Sequence, residues 1–352
     1  VTTEFRRSSW STTDAVAQVW VDELIWKMLR CCAAEEELGT ATIPTASGSS
    51  VELYKTAHAV VAAHGLLGVA DLVYGRQLLD LKDVGAYWVD DAEKSRKRSD
   101  ILNHELNWLV SPKLGGRVLA IDSAGMRSLY ASISKEKNPR HMDFLCLWAP
   151  TLDSREELGE LLKLGAYEAI FTSREEGSVY RYQKNTNGIF HRVEIRSVLW
   201  PTSKNWSTDI ERAIWDRAKE DSAGRLILDA TDLFTLALRQ FAVDSLLGGA
   251  APLLDMLRIL KKYDDNIDWQ RLRQYKNQLG KCEWMWAGLY AIDLFEKKTG
   301  VGLRLPTWAR ENLVGMRESF WPTFVDSRLV WANPDTRLGE FARAHVKLAR
   351  GT

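Results

Sequence analysis

The chain has 352 residues, and its 47 Lys and Arg offset its 47 Asp and Glu, so the formal charge is zero. That neutrality argues against a general binder of nucleic-acid backbones, which needs a basic excess to release counterions. No apolar run reaches the ~20 residues of a membrane span, and 45% hydrophobic against 27% charged residues is the balance of a globular protein with a sizeable core.

The opening segment, Val1-Thr2-Thr3-Glu4-Phe5-Arg6-Arg7, has neither an initiator Met nor an apolar signal region, and it reads as trimmed. From residue 14 to about 37, Val16, Val19, Trp20, Leu24, Ile25, Met28 and Leu29 recur at helical spacing. A Gly/Pro/Ser-rich linker follows over 39–50. Ser49 and Glu52 then form a capping-box pair that opens a second helix through Tyr54, Ala57, Val60 and Val61. Further helix is predicted over 69–81 and 91–109, making residues 1–110 an N-terminal helical region.

The breaker cluster Ser111-Pro112-Lys113-Leu114-Gly115-Gly116 marks a change of character. Short apolar runs predict strands at 117–121, 142–149, 166–172, 179–182 and 191–199, with helices over 123–133 and, from the Ser154/Glu157 pair, over 154–165. After Pro201 helical periodicity returns: Thr208 and Glu211 cap one helix, and others follow over 233–247, 252–263, 269–279 and 284–298. The fold class this predicts is α+β. A mixed sheet with two or more helices on one face occupies 111–200, between helical regions at 1–110 and 201–352.

Most chemical motifs are missing. There is no H-E-x-x-H, P-loop, G-x-G-x-x-G after a strand, or G-x-S-x-G elbow. Four cysteines without C-x-x-C spacing predict reduced thiols in a cytoplasmic protein rather than a zinc or disulfide scaffold. Arg96-Lys97-Arg98 lies among Asp90, Asp91, Glu93 and Asp100, as a solvated helix face does. The 15 tryptophans fall at helical spacings beside Leu and Met and read as core.

One constellation remains. The run Ile121-Asp122-Ser123 passes from strand to helix, and free amides at a helix start suit phosphate. Period-two alternation puts Asp143, Leu145 and Leu147 on one face of the next strand. The same rule puts Arg192, Glu194 and Arg196 together on a later one. Were the two strands neighbours, Asp143 and Glu194 could converge on one Mg²⁺, an ion commonly held by one or two carboxylates plus substrate phosphates.

In motif order the chain resembles uncharacterised bacterial nucleotidyltransferases of the DNA polymerase β-like fold. The matching stretches are Ile121-Asp122-Ser123, Arg140-His141-Met142-Asp143-Phe144-Leu145, Leu161 to Gly165, and Val193-Glu194-Ile195. The flanks Ala63-His64-Gly65-Leu66, Ile267-Asp268-Trp269 and Leu303-Arg304-Leu305-Pro306 extend the likeness over roughly residues 15 to 310. The resemblance implies an NTP substrate, with Ser123 holding the triphosphate and Arg127 or Arg140 steadying its charge. It also implies catalytic Asp143 and Glu194 holding Mg²⁺, and a small-molecule acceptor; by charge and hydropathy, neither nucleic acid nor membrane is expected as partner. The family's second metal-binding Asp, however, falls at Leu145, and its Lys-Gly at Asp122-Ser123. Three functions follow: active nucleotidyl transfer, a repurposed fold catalysing another biosynthetic reaction, and a non-catalytic binding or scaffold protein. The expected geometry is specific. Asp143, Leu145 and Glu194 share one cleft face, and Leu145→Asp raises metal affinity.

Overall fold

The computed structural model describes residues 13–44, 51–63, 65–81, 85–109, 118–130, 145–172, 179–186, 188–199, 208–221, 224–248, 250–278 and 283–315. The first four helices are α1 (Thr13–Ala34), α2 (Val51–Ala63), α3 (Leu67–Tyr74) and α4 (Gly85–Leu109), with a 3₁₀ segment, Gly75–Asp80, before the last. The periodic residues of α1 are the buried ones: Trp20, Leu24, Ile25, Met28 and Leu29 face inward, while Val19 lies exposed. The Tyr74 hydroxyl donates to the Leu24 carbonyl at 3.1 Å and ties α3 to α1.

A five-stranded mixed sheet follows, built from β1 (Leu119–Ile121), β2 (Leu145–Trp148), β3 (Glu168–Thr172), β4 (Val179–Thr186) and β5 (Ile189–Arg196) in the order β1-β2-β5-β4-β3. Only β2 and β5 run parallel; the other pairs are antiparallel. The short helix α5 (Asp122–Gly125) and a 3₁₀ turn (Met126–Leu129) leave β1, and α6 (Leu152–Leu164) connects β2 to β3.

Parallel register decides what each sheet face holds. Leu145 lies across from Val193, Cys146 from Glu194, Leu147 from Ile195 and Trp148 from Arg196. Leu145, Leu147, Val193 and Ile195 are fully buried against Leu102, Leu106 and Leu109 of α4 and Leu158 and Leu162 of α6. Two helices thus cover this core face. One of them, α4, belongs by sequence to the N-terminal helical region, so the composition break near residue 110 does not mark where the sheet's own packing begins.

On the opposite face Leu119, Ile121, Cys146 and Trp148 join a second, larger core. It is completed by α7 (Thr208–Arg217), by Leu226 of the ribbon that β6 (Lys219–Glu220) and β7 (Leu226–Ile227) form, and by α8 (Ala230–Gly248), α9 (Ala250–Tyr263), α10 (Trp269–Gln278), α11 (Glu283–Thr299) and α12 (Thr307–Gly315). Trp148 meets Trp215 of α7 edge-on, with ring centroids 5.1 Å apart. The same core includes α1, α2 and α3, so the N- and C-terminal helices form one hydrophobic body rather than two. Its anchor is Arg258 of α9, buried, which donates to the Cys32 carbonyl at 3.0 Å, the Leu129 carbonyl at 2.8 Å and the Glu35 carboxylate at 2.6 Å. No single described helix is long and apolar enough to cross a membrane.

Candidate functional site

The chemistry of the sheet gathers on the face away from α4 and α6. Alternation along β5 puts Glu194 and Arg196 there, and the β4–β5 register places Arg181 directly across from Glu194. Asp122 arrives from the end of β1. Its backbone sits at φ +54°, in the left-handed region that few residues other than Gly, Asn and Asp tolerate. Close behind, Gly125 backs onto β1: a Cβ there would stand 2.8 Å from the Ala120 carbonyl oxygen. The strand-to-helix turn therefore depends on a glycine at that position, and it delivers the Asp122 carboxylate to the face that carries Glu194.

Four charges meet in a chain. Arg181 Nε donates to Glu194 Oε2 at 2.6 Å and Arg196 Nε to Glu194 Oε1 at 2.6 Å. Arg196 Nη1 also pairs with Asp122 Oδ2 at 3.1 Å. Its other terminal nitrogen stands 3.8 Å from the Cys146 sulfur. The Glu194 side chain is 7% exposed and that of Arg196 20%, whereas Arg181 is 45% exposed and lies over the ring of Phe171. Burial pushes the Glu194 carboxyl upward, but the Arg196 charge and the hydrogen bonds from both arginines outweigh it, so Glu194 is held below the usual carboxylate value. Burial lowers Arg196, and Asp122, Cys146 and Glu194 more than reverse that. Burial raises the Cys146 thiol well above its ordinary value, which makes it a neutral packing group rather than a nucleophile.

The expected residues are brought together only in part. Glu194 lies on this face, but Leu145 does not: it is in the apolar core on the other side, across from Val193. Leu145 and Glu194 occupy positions of opposite parity in the parallel register, and a one-residue offset reverses the face. The expectation that Leu145 walls the cleft beside Glu194 is therefore corrected. Asp143 and Arg140 lie outside the described residues. Ser123 and Arg127 occupy α5 and the 3₁₀ turn after it, and their side chains are also outside them. Of the helix expected over 123–133, the described part is the four-residue α5, Asp122–Gly125, and that turn. So short a segment sums few peptide dipoles, which weakens the case for a phosphate site at its start.

Sequence reasoning gives no role to Arg181, since its short strand could not be registered against β5. It also passes over a second polar cluster near the start of α8. There Asp232, fully buried, accepts Arg217 Nε at 2.9 Å and Nη2 at 3.0 Å, and the Tyr275 hydroxyl at 2.8 Å. Asp229 accepts two bonds from Arg271 and caps α8 through the Asp232 amide at 2.8 Å. Burial raises the Asp232 carboxyl despite these donors. Its partners saturate it, and it holds α7, α8 and α10 together.

A Mg²⁺ ion does not fit the described donors. It demands near-octahedral oxygen ligation, yet both Glu194 oxygens and one Asp122 oxygen already face guanidinium groups. Among the described residues no group of three His, Cys, Asp or Glu is placed to hold a metal ion. Compared with protein-family models, curated proteins and solved structures, the chain matches none.

Proposed function

We propose that the chain is a nucleotidyltransferase-like α+β protein repurposed to act on a small molecule without two-metal nucleotidyl transfer. Two features support the lineage: the order of the sequence motifs, and the mixed sheet whose parallel β2–β5 pair carries Glu194. The observation that carries the change of chemistry is the double engagement of Glu194 by Arg181 and Arg196. Two-metal transfer needs carboxylates that bridge ions about 3.5–4 Å apart. A metal here would have to break a buried, charge-assisted pair before it could bind.

A thermal-shift panel of the four NTPs, each with Mg²⁺, Mn²⁺ or chelator, tests this reading. The expected result is no metal-dependent stabilisation. A ligand at about a hundred times its dissociation constant stabilises the fold by about 2.7 kcal/mol, so a shift of that size appearing only with metal overturns the proposal. The second reading, retained nucleotidyl transfer, is favoured by Asp122 and Glu194 sharing one face beside a strand-to-helix turn. Calorimetric Mg²⁺ binding by the wild type that disappears in Glu194→Gln, together with NTP binding that depends on the metal, would support it.

A further inference from the structure

We propose that the Arg196 guanidinium is the built-in cation of this sheet face, standing where Asp122 and Glu194 would otherwise hold a divalent ion. The inference rests on the metal-free reading above and names what replaces the metal. Three ligand-type groups surround this one guanidinium: Glu194 Oε1 at 2.6 Å, Asp122 Oδ2 at 3.1 Å and Cys146 Sγ at 3.8 Å. They come from β5, the end of β1 and β2, three segments that converge on one side of the sheet.

Charge arithmetic gives the reason a metal is excluded. Asp122 and Glu194 carry two negative charges, and Arg196 with Arg181 carries two positive ones. A divalent ion approaching this neutral set gains no net attraction to offset its lost hydration. Without Arg196 the balance is one negative charge, with two carboxylates left facing the space its guanidinium fills. Their distances to the guanidinium, 2.6 Å and 3.1 Å, exceed the ~2.1 Å of a Mg²⁺–oxygen bond, so both carboxylates would have to close in on an ion. Unlike a bound ion, Arg196 cannot dissociate, be chelated or lose its proton near neutral pH. Its placement is fixed by strand register, two residues from Glu194 on the same face.

The test is a Mn²⁺ titration of the full chain, read from the free-ion electron paramagnetic resonance signal. It compares wild type, Glu194→Gln, Arg196→Ala and the double variant Arg196→Ala/Glu194→Gln. The wild type is expected to leave the Mn²⁺ signal unchanged. Arg196→Ala should bind about tenfold or more tighter, because affinity follows ligand charge, methylguanidinium should displace the ion, and the double variant should lose the site. A folded Arg196→Ala protein that binds no more Mn²⁺ than wild type overturns this inference and leaves the metal-free reading standing. Wild-type binding that Glu194→Gln abolishes overturns both. Should Arg196→Ala fail to fold in metal-free buffer, recovery of its circular dichroism with Mn²⁺ or methylguanidinium supports the proposal, and failure to recover counts against it.

Discussion

Leu145, where the resemblance in motif order would put a carboxylate, is fully buried against α4 and α6. Leu145→Asp therefore strands a charge in an apolar core. It should cost about 3–5 kcal/mol, read from urea midpoints, and should leave metal affinity unchanged. Glu194 behaves in the opposite sense. Its folded pKa lies below the ordinary 4.5, so its contribution is fully present above that value and is lost as pH falls through the folded value. Between about pH 5 and pH 3, Glu194→Gln should lose less stability than wild type. His191, on β5, is buried, and neither ring nitrogen has a hydrogen-bond partner among the described residues. Burial, then Lys184 and Arg98, lower its pKa from 6.5. The unfolded chain takes up a proton there first, so stability falls as pH drops below that value. Denaturation curves from about pH 7.5 to about 5.5 should flatten in His191→Phe. Some slope should remain from His58, whose pKa burial also lowers although the Asp91 charge opposes it.

Elements with strong local signals were legible in the sequence, and their boundaries less so. The helix expected from Ser154 begins at Leu152, because Thr151 is its cap: Thr151 Oγ1 accepts the Ser154 amide at 3.2 Å. Thr151→Ala should lower stability by about 1 kcal/mol, seen in the melting temperature, while Ser154→Ala tests the hydroxyl contact of 2.6 Å between the two. Glu211, expected to close a capping box, accepts the Leu199 amide at 2.8 Å. The pair Asn187-Gly188 between β4 and β5 is a hairpin signal, borne out at Gly188 by φ +82°. Reading β4 only to Tyr182 missed it. Strand existence follows from apolar runs, but which face a residue takes depends on register between strands far apart in sequence. Alternation within β2 and within β5 was correct. The offset between them, which separates Leu145 from Glu194, could not be read from either strand alone. The charge partners of Glu194 were hidden for the same reason, since Arg181 joins it through pairing and Asp122 through a left-handed turn.

At the scale of the whole molecule, the helices before and after the sheet share a single core. Arg258 binds α9 to the end of α1 and to the turn after β1. Arg258→Ala leaves two buried carbonyls unpaired and should cost about 3 kcal/mol or more. Because the damage lies in the common core, far-ultraviolet circular dichroism and tryptophan fluorescence should still fall together in one transition at a lower denaturant concentration. Two separate transitions would mean that the helical regions are energetically independent.

The Arg258 clasp also sets a timetable for a growing chain. Cys32 and Arg258 are 226 residues apart, and ribosomes add about 5–20 residues per second. For roughly ten to forty-five seconds of synthesis, α1 has emerged with its row of Trp20, Leu24, Ile25 and Met28, and α2 and α3 can pack on it, while α9, which clasps its end, does not yet exist. The nascent chain must carry a helix only partly covered through the making of the entire sheet. Its yield in the cell should therefore respond to holdase chaperones and to translation speed more than the stability of the finished protein would suggest.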